Sequence, residues 1–368
     1  MVAQSTVQRV RLLIGMIAGS SVAGGLYAAA LRQPPVSWVV QIAIGATIGV
    51  VISSVITSIE LLGEGRPIES PTRRLPLALS VLLRTLVYGV VIVASLLAVP
   101  WAYTGEWEGL FRSGIVRDVA FSFSATFVVV SLVSIIRLIG PGVLANLLTG
   151  RYHRPREEQR IVLFLDLVGS TGIAESIGNI RFHGLLSEVF SHLSDVVVDL
   201  GGEVHRYVGD ALIATWPLGT PEDNARPIRC LFVCRDALER ARPGLLARHG
   251  HAPDFRAGLH AGRLVAGEVG SFKREIALLG DTMNTVARIE EACRTTGRRW
   301  LVSKALLDCT AVPEGVRLEG IGRPALRGKS EGLELFALDP DVPESTGHGA
   351  GTVEAASHRG QQAAVRAN

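Results

Sequence analysis

Two carboxylates in this 368-residue chain have a setting that suits metal chemistry. Asp166 closes the short apolar run Ile161–Leu165, and Asp210 stands in Val208-Gly209-Asp210. The run before Asp166 is rich in β-formers and reads as a buried strand. Glu203–Tyr207 and Ala211–Trp216 read as a hairpin around the glycine. If strand and hairpin are neighbours in one sheet, both carboxylates face one point. Paired hard oxygens are what Mg²⁺ or Mn²⁺ needs when it also grips phosphates. Each residue has an ordinary use as well, Asp210 in a turn and Asp166 as a helix N-cap. Position alone leaves both uses open. Asn284 and Arg288, four apart, share one face of the amphipathic stretch Asn284–Arg294. Taken alone, Arg288 and Lys329 read as solvated charges.

The elements that must hold these groups alternate. A helical stretch near Gly178–Leu200 follows the first strand, and Glu222–Arg242 follows the hairpin. Phe255–His260 and Arg263–Val269 read as two strands; Trp300–Ser303 and Leu333–Leu338 read as two more. The order β-α-β-β-α-β predicts an α+β, ferredoxin-like domain with an added hairpin. His260 lies on a strand and reads as structural. Cys230, Cys234, Cys293 and Cys309 make no CxxC or zinc spacing. Cys230 and Cys234, one helical turn apart, read as core packing in a reducing compartment.

Five motifs then occur in order. FLDLVGST at Phe164–Thr171 resembles the first metal motif of the class III adenylate and guanylate cyclases, and GGEVHRYVGDALIATW at Gly201–Trp216 the second. GLHAGRLVAGEVG at Gly258–Gly270 is similar to the family's central hairpin. LLGDTMNTVARIE at Leu278–Glu290 resembles its transition-state motif, and LRGKSEGLELF at Leu326–Phe336 its lysine-bearing C-terminal strand. The resemblance spans roughly Arg160–Leu338 and implies a cyclase that turns ATP into 3′,5′-cyclic AMP and pyrophosphate. It implies that Asp166 and Asp210 hold two ions, Mg²⁺ or Mn²⁺, one acidifying the ribose 3′-hydroxyl and the other gripping the triphosphate. Backbone N–H groups of Leu167, Val168, Gly169, Ser170 and Thr171 would cradle phosphates at a helix start. Lys329 would meet the terminal phosphates. Asn284 would orient the ribose, and Arg288 would neutralise developing charge. In the family these last two face the carboxylates from a second protomer. One copy of each motif therefore implies a homodimer with interfacial sites. A guanylate cyclase and a degenerate cyclase-fold module that signals without catalysis are the alternatives.

The chain departs from the family's pattern at the base. Adenylate cyclases of this class carry a lysine four residues before the second metal Asp; Arg206 stands there. They carry Asp or Thr four residues before the Asp of the later GD motif; Ala277 stands there. Arg206 is donor-only and can serve adenine N1 or guanine O6. Ala277 has no side-chain acceptor, so Glu275, two residues earlier on the same strand face, is a second candidate. The expectation is a preference for ATP with incomplete rejection of GTP.

The mean hydropathy is +0.33, and apolar residues crowd before about residue 150. Val10–Leu31, Val36–Ile59, Leu77–Tyr103 and Val119–Ile139 are each long enough to span a bilayer. The first could be taken for a signal peptide ending at Ala28-Ala29-Ala30, but its apolar run is longer than a usual h-region. Gly15, Gly19, Gly45 and Gly49 permit close helix contact. Arg84 lies within the third span, while Arg137 can snorkel from the fourth. Basic residues gather at Arg9 and Arg11, at Arg66, Arg73 and Arg74, and at Arg151, Arg154, Arg156 and Arg160. The third link carries Glu106, Glu108 and Asp118 against Arg112 and Arg117. The positive-inside rule then predicts a multi-pass protein of the cell membrane with both ends cytoplasmic. The expected layout is a transmembrane domain at 1–140, a linker at 141–159, a cyclase domain at 160–338 and a disordered tail at 339–368. The lipid bilayer is thus a partner. A net charge of +3 is too small to argue for nucleic acid.

Overall fold

Four long helices make up the N-terminal part of the structure, a computed structural model that describes residues 4–31, 37–62, 76–105, 114–139, 146, 149–272, 274–324 and 332–340. They are α1 (Gln4–Ala30), α2 (Trp38–Leu62), α3 (Leu77–Thr104) and α4 (Ile115–Ile139). Each is long and apolar enough to cross a membrane, matching the four expected spans. Much of their apolar surface faces outward, as at Leu86, Val90 and Val128. Where α1 meets α2 the side chains are small. The backbones of Gly24 and Gly45 touch, and Gly49 lies on Ser20, so a Cβ at any of these glycines would collide. Gly45 and Gly49 therefore make the expected close contact, whereas Gly15 and Gly19 face open space. Tyr27 ties α1 to α4: its hydroxyl donates to Asp118 over 2.8 Å and its ring stacks on Phe121. Arg84 is half-buried on α3. The links carrying Arg66, Arg73, Arg74, Glu106 and Glu108, the side chain of Arg137, and the tail beyond Pro340 lie outside the described residues.

The second half is built on one sheet. Its strands are β1 (Arg156–Leu167), β2 (Glu203–Val208), β3 (Ala211–Pro217), β4 (Phe255–Val269), β5 (Glu275–Leu279), β6 (Trp300–Ser303), β7 (Val316–Gly322) and β8 (Leu335–Pro340). The helices between them are α5 (Ser170–Ile177), α6 (Asn179–Asp199), α7 (Pro221–Asn224), α8 (Arg226–His249), α9 (Asp281–Thr296) and α10 (Lys304–Leu307). The sheet runs β2-β3-β1-β4-β6-β8-β7, with β5 paired to β4. The run β2-β3-β1-β4 is the antiparallel ferredoxin-like core that the element order predicts.

Strand alternation sorts β1 between two layers. Ile161, Leu163, Leu165 and Leu167 point to one face, where they form a core with Leu185, Leu193, Ile228 and Leu231 of α6 and α8. Val162 points the other way and packs with Ile213, Leu264 and Val286 under α9. Asp166 shares the parity of Val162, so it lies on the α9 side. Cys230 and Cys234 are buried free thiols, as core packing requires.

Three expectations are corrected here. Phe255–His260 and Arg263–Val269 are one continuous strand, β4, whose hairpin partner is β5. Two glycines of this strand serve packing: a Cβ at Gly258 would stand 2.7 Å from the Glu290 nitrogen, and one at Gly262 2.5 Å from the Thr282 hydroxyl. Helix follows Asp166 sooner than expected, from Ser170, and breaks at Gly178, where φ is +81°. Arg160, counted among the juxtamembrane charges, is instead 7% exposed. It donates to Glu158 (2.8 Å), Glu203 (3.1 Å), Thr215 (3.0 Å) and the buried Tyr152 hydroxyl (3.0 Å).

Candidate active site

Asp166 is fixed by ladders on both sides. It pairs with Ala211 on β3 and with Arg256 on β4. Asp210 occupies the turn from β2 to β3, which Gly209 permits with a φ of +62°. The Asp210 carbonyl accepts from the Leu167 N–H over 3.4 Å, so the turn is stitched to the end of β1. The two carboxylates are thereby brought together, as expected if strand and hairpin are neighbours in one sheet. Asp166 is 7% exposed. Burial, and then the charge of Asp210, raise its pKa above the ordinary carboxylate value.

Two guanidinium groups oppose that shift. Arg256 and Arg294 each donate through Nη2 to Asp166 Oδ2 over 3.3 Å. Arg256 Nε lies 3.4 Å from Oε1 of Glu290, a carboxylate also buried on α9. Burial, and then Asp166, push the Glu290 carboxyl upward as well. Sequence reading missed Arg256, Arg294 and Glu290. One signal was present: Glu290 follows Ile289 and stands four after Val286, a charge on the buried face of an amphipathic helix.

The donor set suits a phosphate-bound cation. Among the described residues no cluster of three or more His, Cys, Asp or Glu side chains forms a closed metal cage. Two carboxylates, one at the end of β1 and one in the β2–β3 turn, fit Mg²⁺ or Mn²⁺, which take one or two protein carboxylates and complete the shell with phosphate oxygens. A divalent cation would also offset the Asp210 charge that, after burial, raises the pKa of Asp166.

The phosphate loop is narrower than expected. The N–H of Leu167 is taken by Asp210, and that of Val168 donates to the Asp254 carbonyl over 2.8 Å. Gly169 is the left-handed N-cap of α5 with φ +73°. The N–H groups of Ser170 and Thr171 open that helix, where no intrahelical acceptor exists. Lys329 lies outside the described residues.

Asn284 and Arg288 share an outward face of α9, and Arg288 donates to Glu291 over 2.9 Å. Within one chain, the bonds to Asp166 come from Arg256 and Arg294 instead. Arg206 on β2 and Glu275 on β5 do meet, at 2.7 Å. Ala277 sits in the β4–β5 ladder opposite Gly267. His260 Nδ1 bonds the Ser303 hydroxyl at 2.8 Å, which gives it a structural use.

Residues 153–339 match the family model of the adenylate and guanylate cyclase catalytic domain. The chain is 40% identical over 201 residues to adenylate cyclase 2 of Rhizobium meliloti, covering 55% of each protein. It is 32% identical over 208 residues to guanylate cyclase D of Mus musculus, covering 54% of this chain and 18% of that one. The adenylyl cyclase CyaB from P. aeruginosa overlaps with a TM-score of 0.46 at 18% identity, over 53% of this chain and all of that one. The chain thus spans about half, or less, of the length of these curated relatives.

Proposed function

Because the chain belongs to the adenylate and guanylate cyclase family through residues 153–339, we propose that it is a membrane-anchored adenylate cyclase producing 3′,5′-cyclic AMP and pyrophosphate from ATP. The observation that carries this reading is the neighbouring pair Asp166 and Asp210, with the turn of one bonded to the end of the other's strand. Asp166 and Asp210 would hold two divalent ions, Mg²⁺ or Mn²⁺, which neutralise phosphate charge and acidify the ribose 3′-hydroxyl when bound.

The chain's own groups do the rest. N–H groups of Gly169, Ser170 and Thr171 bind phosphate oxygens at the start of α5, and Lys329 meets the terminal phosphates. Asn284 holds the ribose so that its 3′-oxygen lies in line with the α-phosphorus. Arg288 meets the charge that develops as pyrophosphate leaves. Asn284 and Arg288 face outward from α9, which supports a site completed by a second copy of the chain, with two such sites in a symmetric homodimer. Arg206 donates to adenine N1. Glu275, already beside Arg206, accepts from the adenine amino group in place of the missing side chain at Ala277.

The helices at residues 1–140 anchor the enzyme by crossing the membrane four times. The connection at 141–159 then delivers a cytoplasmic catalytic domain at 160–338, whose first strand reaches back to Arg156. The test is the purified full chain in lipid nanodiscs, given ATP or GTP with Mg²⁺ or Mn²⁺, with the product identified by mass. Cyclic AMP is expected. Turnover of GTP in preference to ATP would make it a guanylate cyclase, and no cyclic product from either would leave a signalling module.

A further inference from the structure

We propose that Arg294 is a removable cation at the metal-binding carboxylate: its guanidinium rests on Asp166 when no metal ion is bound and is displaced when one arrives. This rests on reading Asp166 as a metal ligand, as above.

The two arginines on Asp166 reach the same oxygen at the same distance, yet they are not equivalent. Arg256 stands directly across the β1–β4 ladder from Asp166, so its backbone is fixed in register. Its side chain is 18% exposed and is braced from below by buried Glu290. Arg294 comes from the last turn of α9, and its side chain is 61% exposed. No ladder binds its backbone to β1. Asp166 is buried, but the Arg294 end of the pair is open to water, which competes for its guanidinium. A guanidinium left against the carboxylate would repel a divalent cation at that carboxylate. The ion's arrival and the departure of Arg294 are then one exchange.

The charges support the exchange. Asp166 and Glu290 pair with Arg256 and Arg294, and Asp210 stands beside them, so carboxylates outnumber guanidinium groups in this cluster. With Arg294 swung away that excess grows, which favours a divalent ion at Asp166. Residue 290 braces the fixed arginine while residue 294, one turn later on the same helix, carries the movable one. The exchange lets a carboxylate pair persist in a folded protein before metal and nucleotide are present.

The test needs no turnover. Mn²⁺ binding to the full chain in nanodiscs, without nucleotide, is read from the loss of the free-ion electron paramagnetic resonance signal. Wild type is compared with Arg294→Ala, Arg294→Gln and Arg294→Lys, and with Asp166→Asn. Arg294→Ala and Arg294→Gln should bind Mn²⁺ roughly three- to tenfold more tightly, and Arg294→Lys should stay near wild type. Equal or weaker binding in the alanine and glutamine variants overturns the proposal. So does a lysine variant that binds as tightly as alanine, because charge would then not be the cause. Undiminished binding in Asp166→Asn removes the metal reading itself, and this inference with it.

Discussion

The sheet half and the helical half put the same side chains to opposite uses. Leu163, Leu165 and Leu193 are fully buried in the sheet's core. On α3 and α4, Leu86, Val90 and Val128 are more than half exposed. The first set excludes water by packing on the protein's own helices. The second set faces outward on helices long and apolar enough to cross a membrane. Position therefore has different sources in the two halves. Hydrogen-bond ladders fix Asp166 to a single place. The helices are held by a seam of small residues and a few polar ties, such as Tyr27 to Asp118. Chemistry that needs groups within a few tenths of an ångström belongs on the first kind of scaffold.

The sharpest way to break this contrast is to remove the carboxylates. Asp166→Ala or Asp210→Ala should lower kcat by about a thousandfold or more, since two-ion clamping is worth several kcal/mol of barrier. Insertion into membranes should not change. Retention of a tenth of the wild-type rate by a folded variant would refute the assignment. Mixed Asp210→Ala and Arg288→Ala chains should regain part of the activity, because some heterodimers hold one intact site. No recovery, with heterodimers demonstrated, would count against interfacial sites.

A second comparison sets Leu193→Ala against Leu86→Ala. The buried leucine should cost about 2–5 kcal/mol of catalytic-domain stability. The exposed one should leave the domain's denaturant midpoint unchanged. Equal effects would mean that the halves do not fold on separate terms.

Much of this was readable beforehand, for reasons that differ by element. The four spans are legible by length alone, and β6 is bounded at Trp300–Ser303 as expected, because it is a short apolar run between polar flanks. β4 misled because Ala261-Gly262 looks like punctuation, whereas Gly262 is there to admit Thr282 of the helix above. β7 went unread: VRLEGIG carries two glycines and weak alternation. The carboxylate pair was legible from motif spacing. Its arginine partners were not, because Arg256 reaches Asp166 through strand register and Arg294 through the packing of α9, and neither leaves a mark in local sequence.

A smaller effect is expected at the base. Arg206→Glu should shift the ratio of kcat/KM for ATP over GTP toward GTP by about ten- to a hundredfold, the worth of one mismatched polar contact. It also places two carboxylates together where Arg206 and Glu275 now pair at 2.7 Å. A wild-type preference for GTP would overturn the adenylate reading. An ATP preference above about ten thousandfold would point to a further base contact.

The smallest effect concerns acid. Burial works to raise the pKa of Glu188, but Arg248 and His249 outweigh it and hold the carboxyl below its ordinary value. A lowered pKa contributes stability above the unfolded-state value that is lost as pH falls through the folded one. Glu188→Gln should therefore flatten the fall in melting temperature between about pH 6 and pH 3. Identical acid limbs in the two proteins would show that the pair adds nothing to stability.

The double pairing of β1 has a consequence for the gene. β3 and β4 each read β1 residue by residue from Arg160 to Asp166. One added or deleted codon between those residues would turn Asp166 to the core face and Leu165 or Leu167 toward α9. A flanking strand could absorb the slip only through a bulge in its own ladder. Conservative point changes among the apolar residues of this stretch can be tolerated one at a time. Changes of length cannot, so drift in this stretch should proceed by substitution alone, leaving the count of codons from Arg160 to Asp166 frozen among functional descendants.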